Sequence, residues 1–87
     1  GAVTDAALGE IAGTYDLVLA NILAAENLRL AGQLVAHLTP GTGRLVLSGI
    51  LIEQEQSVVK GFARFPLTLL ATNHRDDWTC IVYQSHA

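Results

Sequence analysis

Asn21 is the residue in this sequence best placed to do chemistry. It follows the apolar run Leu17-Val18-Leu19-Ala20 and precedes a helical pattern. Open α/β sheets bind ligands in the crevice outside the carboxyl ends of their strands. A neutral amide at such a strand end can accept through its oxygen and donate through its nitrogen without carrying charge. The same amide could instead cap the following helix or shape the turn. Ser48-Gly49 closes a second apolar run, and there a pocket-lining role and a plain turn role stand side by side. The lone pair Gly41 and Gly43 follows a helical pattern and precedes a strand, which is the wrong order for a dinucleotide fingerprint. It reads as a helix stop and turn.

The other reactive side chains form no constellation. His37, His74 and His86 are far apart and none pairs with another ligand type one helical turn away, so no metal site is expected. Glu53 and Glu55 are two apart on a helix and face different ways, so they are not a catalytic carboxylate pair. His74-Arg75-Asp76-Asp77 reads as a solvated turn. Cys80 lies between Thr79 and Ile81 and reads as a structural thiol. No G-x-S-x-G nucleophile elbow is present.

The elements that must position these residues follow from period and punctuation. Residues 17–20 form an uninterrupted apolar run, as expected of a parallel strand buried on both faces. Leu28, Ala31, Leu34 or Val35, and Leu38 recur at steps of three and four, which makes one helix face. Gly32 within that helix implies close packing against a strand, and Thr39-Pro40-Gly41 stops it. Leu45-Val46-Leu47 is a second strand. Residues 51–65 read as a second helix, with Val58, Val59, Phe62 and Phe65 inward and Pro66 as its stop. Residues 67–71 form a third strand, 73–77 a loop or hairpin turn, and 78–83 a fourth strand. Ala6, Leu8 and Ile11 suggest a helical turn near the start. The fold class is therefore α/β. It is one wing of a doubly wound sheet, mostly parallel through its first three strands, with an antiparallel terminal hairpin.

Composition narrows the function classes. The chain has 87 residues, 51% of them hydrophobic and 15% charged, with a net charge of −3. It holds one domain at most, is too apolar for a disordered chain, and is a poor candidate for holding nucleic acid by charge. A single cysteine, with no apolar stretch long enough to span a membrane and no signal-peptide pattern, fits a reducing, cytoplasmic setting. Small chains bury only about 60% of the surface they expose when unfolded. The apolar surplus here needs a surface to cover, and the strand at residues 17–20 is expected to lack a neighbour and to drive self-association through that exposed edge.

The string Tyr15-Asp16-Leu17-Val18-Leu19-Ala20-Asn21-Ile22-Leu23, the helix ending Leu38-Thr39-Pro40-Gly41, and Gly43-Arg44-Leu45-Val46-Leu47-Ser48-Gly49-Ile50-Leu51 resemble the C-terminal half of the methyltransferases that modify ribosomal large-subunit protein eleven. Asp77-Trp78 before an apolar strand is similar to that family's closing hairpin. The likeness covers residues 15 to 83. The helix–Pro–Gly–strand portion is generic to S-adenosylmethionine-dependent methyltransferases, whereas Ala20-Asn21-Ile22-Leu23 combined with Ser48-Gly49-Ile50-Leu51 is much narrower. The resemblance implies a Rossmann-like methyltransferase sheet, S-adenosylmethionine as cofactor, and transfer of methyl groups to amino nitrogens of a ribosomal protein. It implies that Asn21 acts at the methyl-transfer site, that Ile22 and Leu23 wall the cofactor pocket beside it, and that Ser48 and Gly49 border the substrate.

There are departures. The family's glycine-rich loop, the acid that grips the ribose, and its separate substrate-binding domain have no counterpart in residues 1–87. One extra residue stands in Pro40-Gly41-Thr42-Gly43, where Pro-Gly-Gly is common. The expectation is a partial catalytic domain that binds S-adenosylmethionine poorly and is inactive alone. Two other readings compete. Tyr-Asp-Leu-Val-Leu also resembles the phosphoacceptor strand of response-regulator receivers, but Asn21 stands where the aspartate would accept phosphate. A non-catalytic α/β interaction module is the other.

Overall fold

The computed structural model describes residues 2–3 and 13–87. Its elements run β1 (Ala2–Val3), β2 (Leu17–Asn21), α1 (Ala24–Arg29), α2 (Ala31–Ala36), β3 (Arg44–Leu51), a 3-10 turn (Ile52–Gln54), α3 (Glu55–Phe62), β4 (Leu67–Arg75) and β5 (Trp78–Ser85). The suggested helical turn at Ala6, Leu8 and Ile11 lies outside the described residues.

The strands form one five-stranded mixed sheet in the order β1-β2-β3-β5-β4. β1 and β3 flank β2 in parallel, and β5 runs antiparallel to both β3 and β4. The sheet is therefore not mostly parallel. The closing hairpin folds back so that β5 inserts between β3 and β4, and the longest ladders become antiparallel. Nor is β2 the open edge that its sequence suggests, because Ala2 and Val3 pair with Leu19 and Ala20.

Burial alternates along the strands. Val18, Ala20, Leu45, Leu47, Ile81 and Tyr83 turn inward and are buried. Leu34, Val58 and Phe62 pack over them from the helices. The Phe62 and Tyr83 rings stack with centroids 5.6 Å apart. The opposite face is half bare: Leu19, Val46, Cys80 and Val82 are half-buried, and Leu17 and Trp78 are 44% and 50% exposed. The run at residues 17–20 thus covers only one face, and the apolar surplus lies on a sheet face rather than along a strand edge.

The first expected helix is two short ones. They meet at Leu30, whose φ of −95° and ψ of 4° interrupt the helical geometry. A Cβ on Gly32 would meet nothing within 4 Å, so close packing does not explain that glycine. The helical glycine under real steric pressure is Gly61 in α3, where a Cβ would run into the Leu28 side chain from α1. β4 also continues past the expected boundary. Asn73, His74 and Arg75 stay in register with Cys80, Thr79 and Trp78, and only Asp76-Asp77 make the turn. Asp76 supplies the left-handed residue that a tight hairpin requires, with φ 54°.

Candidate functional site

The parallel register of β2 and β3 places Asn21 opposite Ser48 at their carboxyl ends. β3 does not stop there. It bulges between Leu47 and Ile50, where its antiparallel partner β5 advances only from Ile81 to Thr79. One extra residue is accommodated, and Gly49 takes φ +77°. Bulges of this kind re-aim side chains next to functional sites. A Cβ on Gly49 would stand 2.7 Å from Asn21 Oδ1 and 3.5 Å from the Ile22 carbonyl oxygen. The missing side chain is the space that the Asn21 amide occupies.

The chain then turns into α1 through Ile22 and Leu23. Leu23 is the N-cap residue, and no side-chain hydrogen bond caps the helix. Asn21 therefore does not serve as the cap, one of the two alternative roles open to it. Its side chain is exposed, and among the described residues no hydrogen bond engages it. Ile22 packs partly against the core, whereas Leu23 is exposed. Ser48 and Gly49 are half-buried beside them. All five residues singled out in the sequence thus meet at one end of the β2–β3 pair.

The glycine pair at 41 and 43 lies at the other end of β3. Gly41 has φ +80°, and the Gly43 N–H bonds to the Thr39 carbonyl at 2.7 Å. This is a turn, remote from Asn21 across the length of the strand. Two clefts lie elsewhere as well. One of about 610 Å³ runs between α3 and β4 and is lined by Glu55, Val59, Lys60, Ala63, Leu69 and Thr72 among others. Another of about 550 Å³ is lined by Leu51, Ile52, Glu53 and Asp77. Neither includes Asn21, Ser48 or Gly49.

Two polar features were not found in the sequence. Asn27 is fully buried in α1 and donates from Nδ2 to the Ile22 carbonyl at 3.1 Å, while its Oδ1 is buried without a partner among the described residues. The signal was available: Asn27 falls four and seven residues before Ala31 and Leu34, on the buried stripe. The second is a cluster around Glu55. Thr79 Oγ1 donates to Glu55 Oε1 at 2.7 Å, and His74 Nε2 lies 2.7 Å from the same oxygen. The Thr79 hydrogen bond first, and the His74 bond second, hold the Glu55 carboxyl below its ordinary value, with burial opposing them. His74 is thus bonded across the α3–β4 cleft rather than lying in a solvated turn.

The family model described as ribosomal protein L11 methyltransferase matches residues 3–86. The chain belongs to the ribosomal protein L11 methyltransferase family. Curated members from Geotalea uraniireducens and Syntrophotalea carbinolica are 48% and 50% identical over 95% and 99% of this chain. The chain spans only about a quarter of their length, 26% and 28% respectively. Among solved structures, a ribosomal protein L11 methylase from Lactobacillus delbrueckii superposes with a TM-score of 0.83 at 28% identity, covering 92% of this chain and 41% of that one. A methyltransferase from Pyrococcus furiosus shares the fold, with a TM-score of 0.66 at 15% identity over 88% of this chain and 44% of its own. The receiver-like and interaction-module readings are not favoured beside this membership.

Proposed function

We propose that this chain is the C-terminal part of the catalytic domain of an S-adenosylmethionine-dependent methyltransferase that modifies amino nitrogens of ribosomal protein L11 in the cytoplasm. In this reading the glycine-rich cofactor loop and the substrate-binding domain belong to other parts of the protein, and residues 1–87 alone are inactive. The observation that carries the reading is the exposed, unengaged Asn21 amide set against Gly49 at the carboxyl ends of two parallel strands.

These residues fit such a cofactor. A neutral amide is compatible with a cationic sulfonium nearby, and the bare Gly49 lets the Asn21 amide lie against the β3 backbone at the strand ends. When bound, S-adenosylmethionine supplies an electrophilic methyl group. Asn21, Ile22 and Leu23 would form the protein wall against it, and Ser48 and Gly49 would border the incoming amine. Transfer to an amine is an in-line displacement in which alignment supplies most of the rate. Asn21 Oδ1 accepts an N–H of the neutral amine and aims its lone pair. No strong base is needed for that step. Exposed Leu23 supplies apolar surface beside the amide.

The test uses the full-length protein that carries this segment, labelled S-adenosylmethionine and purified ribosomal protein L11. Label appearing in L11, and falling at least about ten-fold with Asn21→Ala, supports the assignment. No transfer to L11 by the intact protein refutes it. Calorimetry on residues 1–87 should show no micromolar binding of S-adenosylmethionine, and such binding would overturn the inactive-alone reading.

A further inference from the structure

We propose that Asn27 is a positioning residue that holds the Asn21 amide through the Ile22 carbonyl. Asn27 is 0% exposed, on the buried face of α1 with Ala24, and Ala31 and Leu34 are the buried residues of α2 that follows. A polar amide on such a face is costly unless it is hydrogen-bonded. Its one side-chain bond among the described residues is the 3.1 Å donation from Nδ2 to Ile22 O, and its Oδ1 is left without a partner. A leucine of similar shape would avoid that buried unpaired oxygen, so packing does not account for the asparagine. The bond does.

That bond sits at the one point where it can act on the site. Ile22 O is the carbonyl of the residue that directly follows Asn21, and Asn27 also holds the next carbonyl, Leu23 O, through its backbone N–H at 2.9 Å. One residue thus fixes two consecutive carbonyls of the turn that leaves β2. α1 has no side-chain cap that could do so in its place. The same Ile22 oxygen lies 3.5 Å from the point where a Gly49 Cβ would stand, and Asn21 Oδ1 lies 2.7 Å from it. Asn27, Ile22 O, Gly49 and Asn21 therefore form a single small cradle. Asn27 is its buried end and Asn21 its exposed one. A shift of about 1 Å in an aligning group is enough to cost on the order of a hundred-fold in rate.

This inference rests on the methyltransferase reading for its kinetic arm only. Asn27→Leu and Asn27→Asp are made in the full-length protein that carries this segment, with asparagine side chains labelled for NMR. In Asn27→Leu the Asn21 side-chain amide signals should move or broaden in the absence of any ligand, with the thermal midpoint kept within a few degrees. The kcat should fall at least about ten-fold while KM for either substrate changes less than about three-fold. Asn27→Asp keeps the shape but lacks the donor until its carboxyl is protonated, so its kcat relative to the native protein should rise as the pH falls. Unaltered Asn21 amide signals in a folded Asn27→Leu variant, or an unaltered kcat, overturn the proposal. So does loss of folding in both variants, which would make Asn27 purely structural. If the native protein transfers no methyl group, the function reading fails, and the amide signals still decide the positioning role.

Discussion

Asn21 Oδ1 lies 2.7 Å from the point that a Cβ on Gly49 would occupy, so the amide and the glycine are two halves of one contact. The parallel register alone would set Asn21 against Ser48. The bulge in β3 brings Gly49 under the amide, and its φ of +77° is a conformation that other residues adopt only at a cost of about 1–2 kcal/mol.

Gly49→Ala should therefore act in two ways. The strained backbone should cost about 1–2 kcal/mol of stability in denaturant unfolding. The new methyl should displace the exposed Asn21 amide, whose rotation costs little because no hydrogen bond among the described residues holds it. Methyl transfer by the full-length protein should fall at least about ten-fold. Adding Asn21→Ala to Gly49→Ala should change stability by less than about 0.5 kcal/mol. Native activity in a folded Gly49→Ala variant would show that the displaced amide does not matter.

The two helical glycines should answer oppositely to alanine. Gly32 is exposed with open space around its missing Cβ, so Gly32→Ala should stabilise by about 0.5–1 kcal/mol through helix propensity. Gly61→Ala drives a methyl into Leu28 between α3 and α1, and should destabilise by about 1–3 kcal/mol. Urea midpoints of the two variants on opposite sides of the native value are the expected outcome. Equal shifts would discard the packing explanation of Gly61.

Tyr83 is buried with its hydroxyl unpartnered among the described residues, and burial raises its pKa above 10.0. The folded state prefers the neutral phenol. That preference costs nothing below the ordinary pKa, and stability is lost as the pH rises from there through the raised value. Tyr83→Phe keeps the stack on Phe62 and removes the orphan group. It should be neutral or stabilising by about 1 kcal/mol at pH 7, and should flatten the alkaline loss. Unfolding midpoints followed into alkaline solution check both effects, and an unchanged alkaline slope would point to other groups.

The grouping of Asn21, Ser48 and Gly49 was legible in the sequence because it depends on local punctuation. Asn21 ends an apolar run, Ser48-Gly49 ends another, and strand-end geometry brings such residues together at the crevice. The sheet order was not legible. Nothing in residues 67–85 says that β5 slots between β3 and β4, because that choice depends on long-range pairing that local pattern does not encode. Gly32 and Gly61 look alike in a helical pattern, and only the position of Leu28 tells them apart. Asn27 escaped because a polar residue drops out of an apolar stripe, although its spacing to Ala31 and Leu34 fits one.

Glu55 ties the start of α3 to both strands of the hairpin, and its titration should be visible in stability. Thr79 is 2% exposed and donates to Oε1, His74 meets the same oxygen, and together they outweigh burial and lower the Glu55 pKa. The carboxylate is therefore favoured in the folded chain relative to the unfolded one. Its contribution is present in full above the ordinary value of 4.5 and is lost as the pH falls through the lowered one. Urea midpoints measured from about pH 7 down to about pH 3 should fall across that window. Thr79→Val removes the larger cause while keeping the buried shape, so its midpoint should be lower at neutral pH and should fall less on acidification. Glu55→Gln removes the titrating group and should be the flattest of the three. Superposable acid slopes for the native chain and both variants would show that the Glu55 cluster contributes nothing to the acid response.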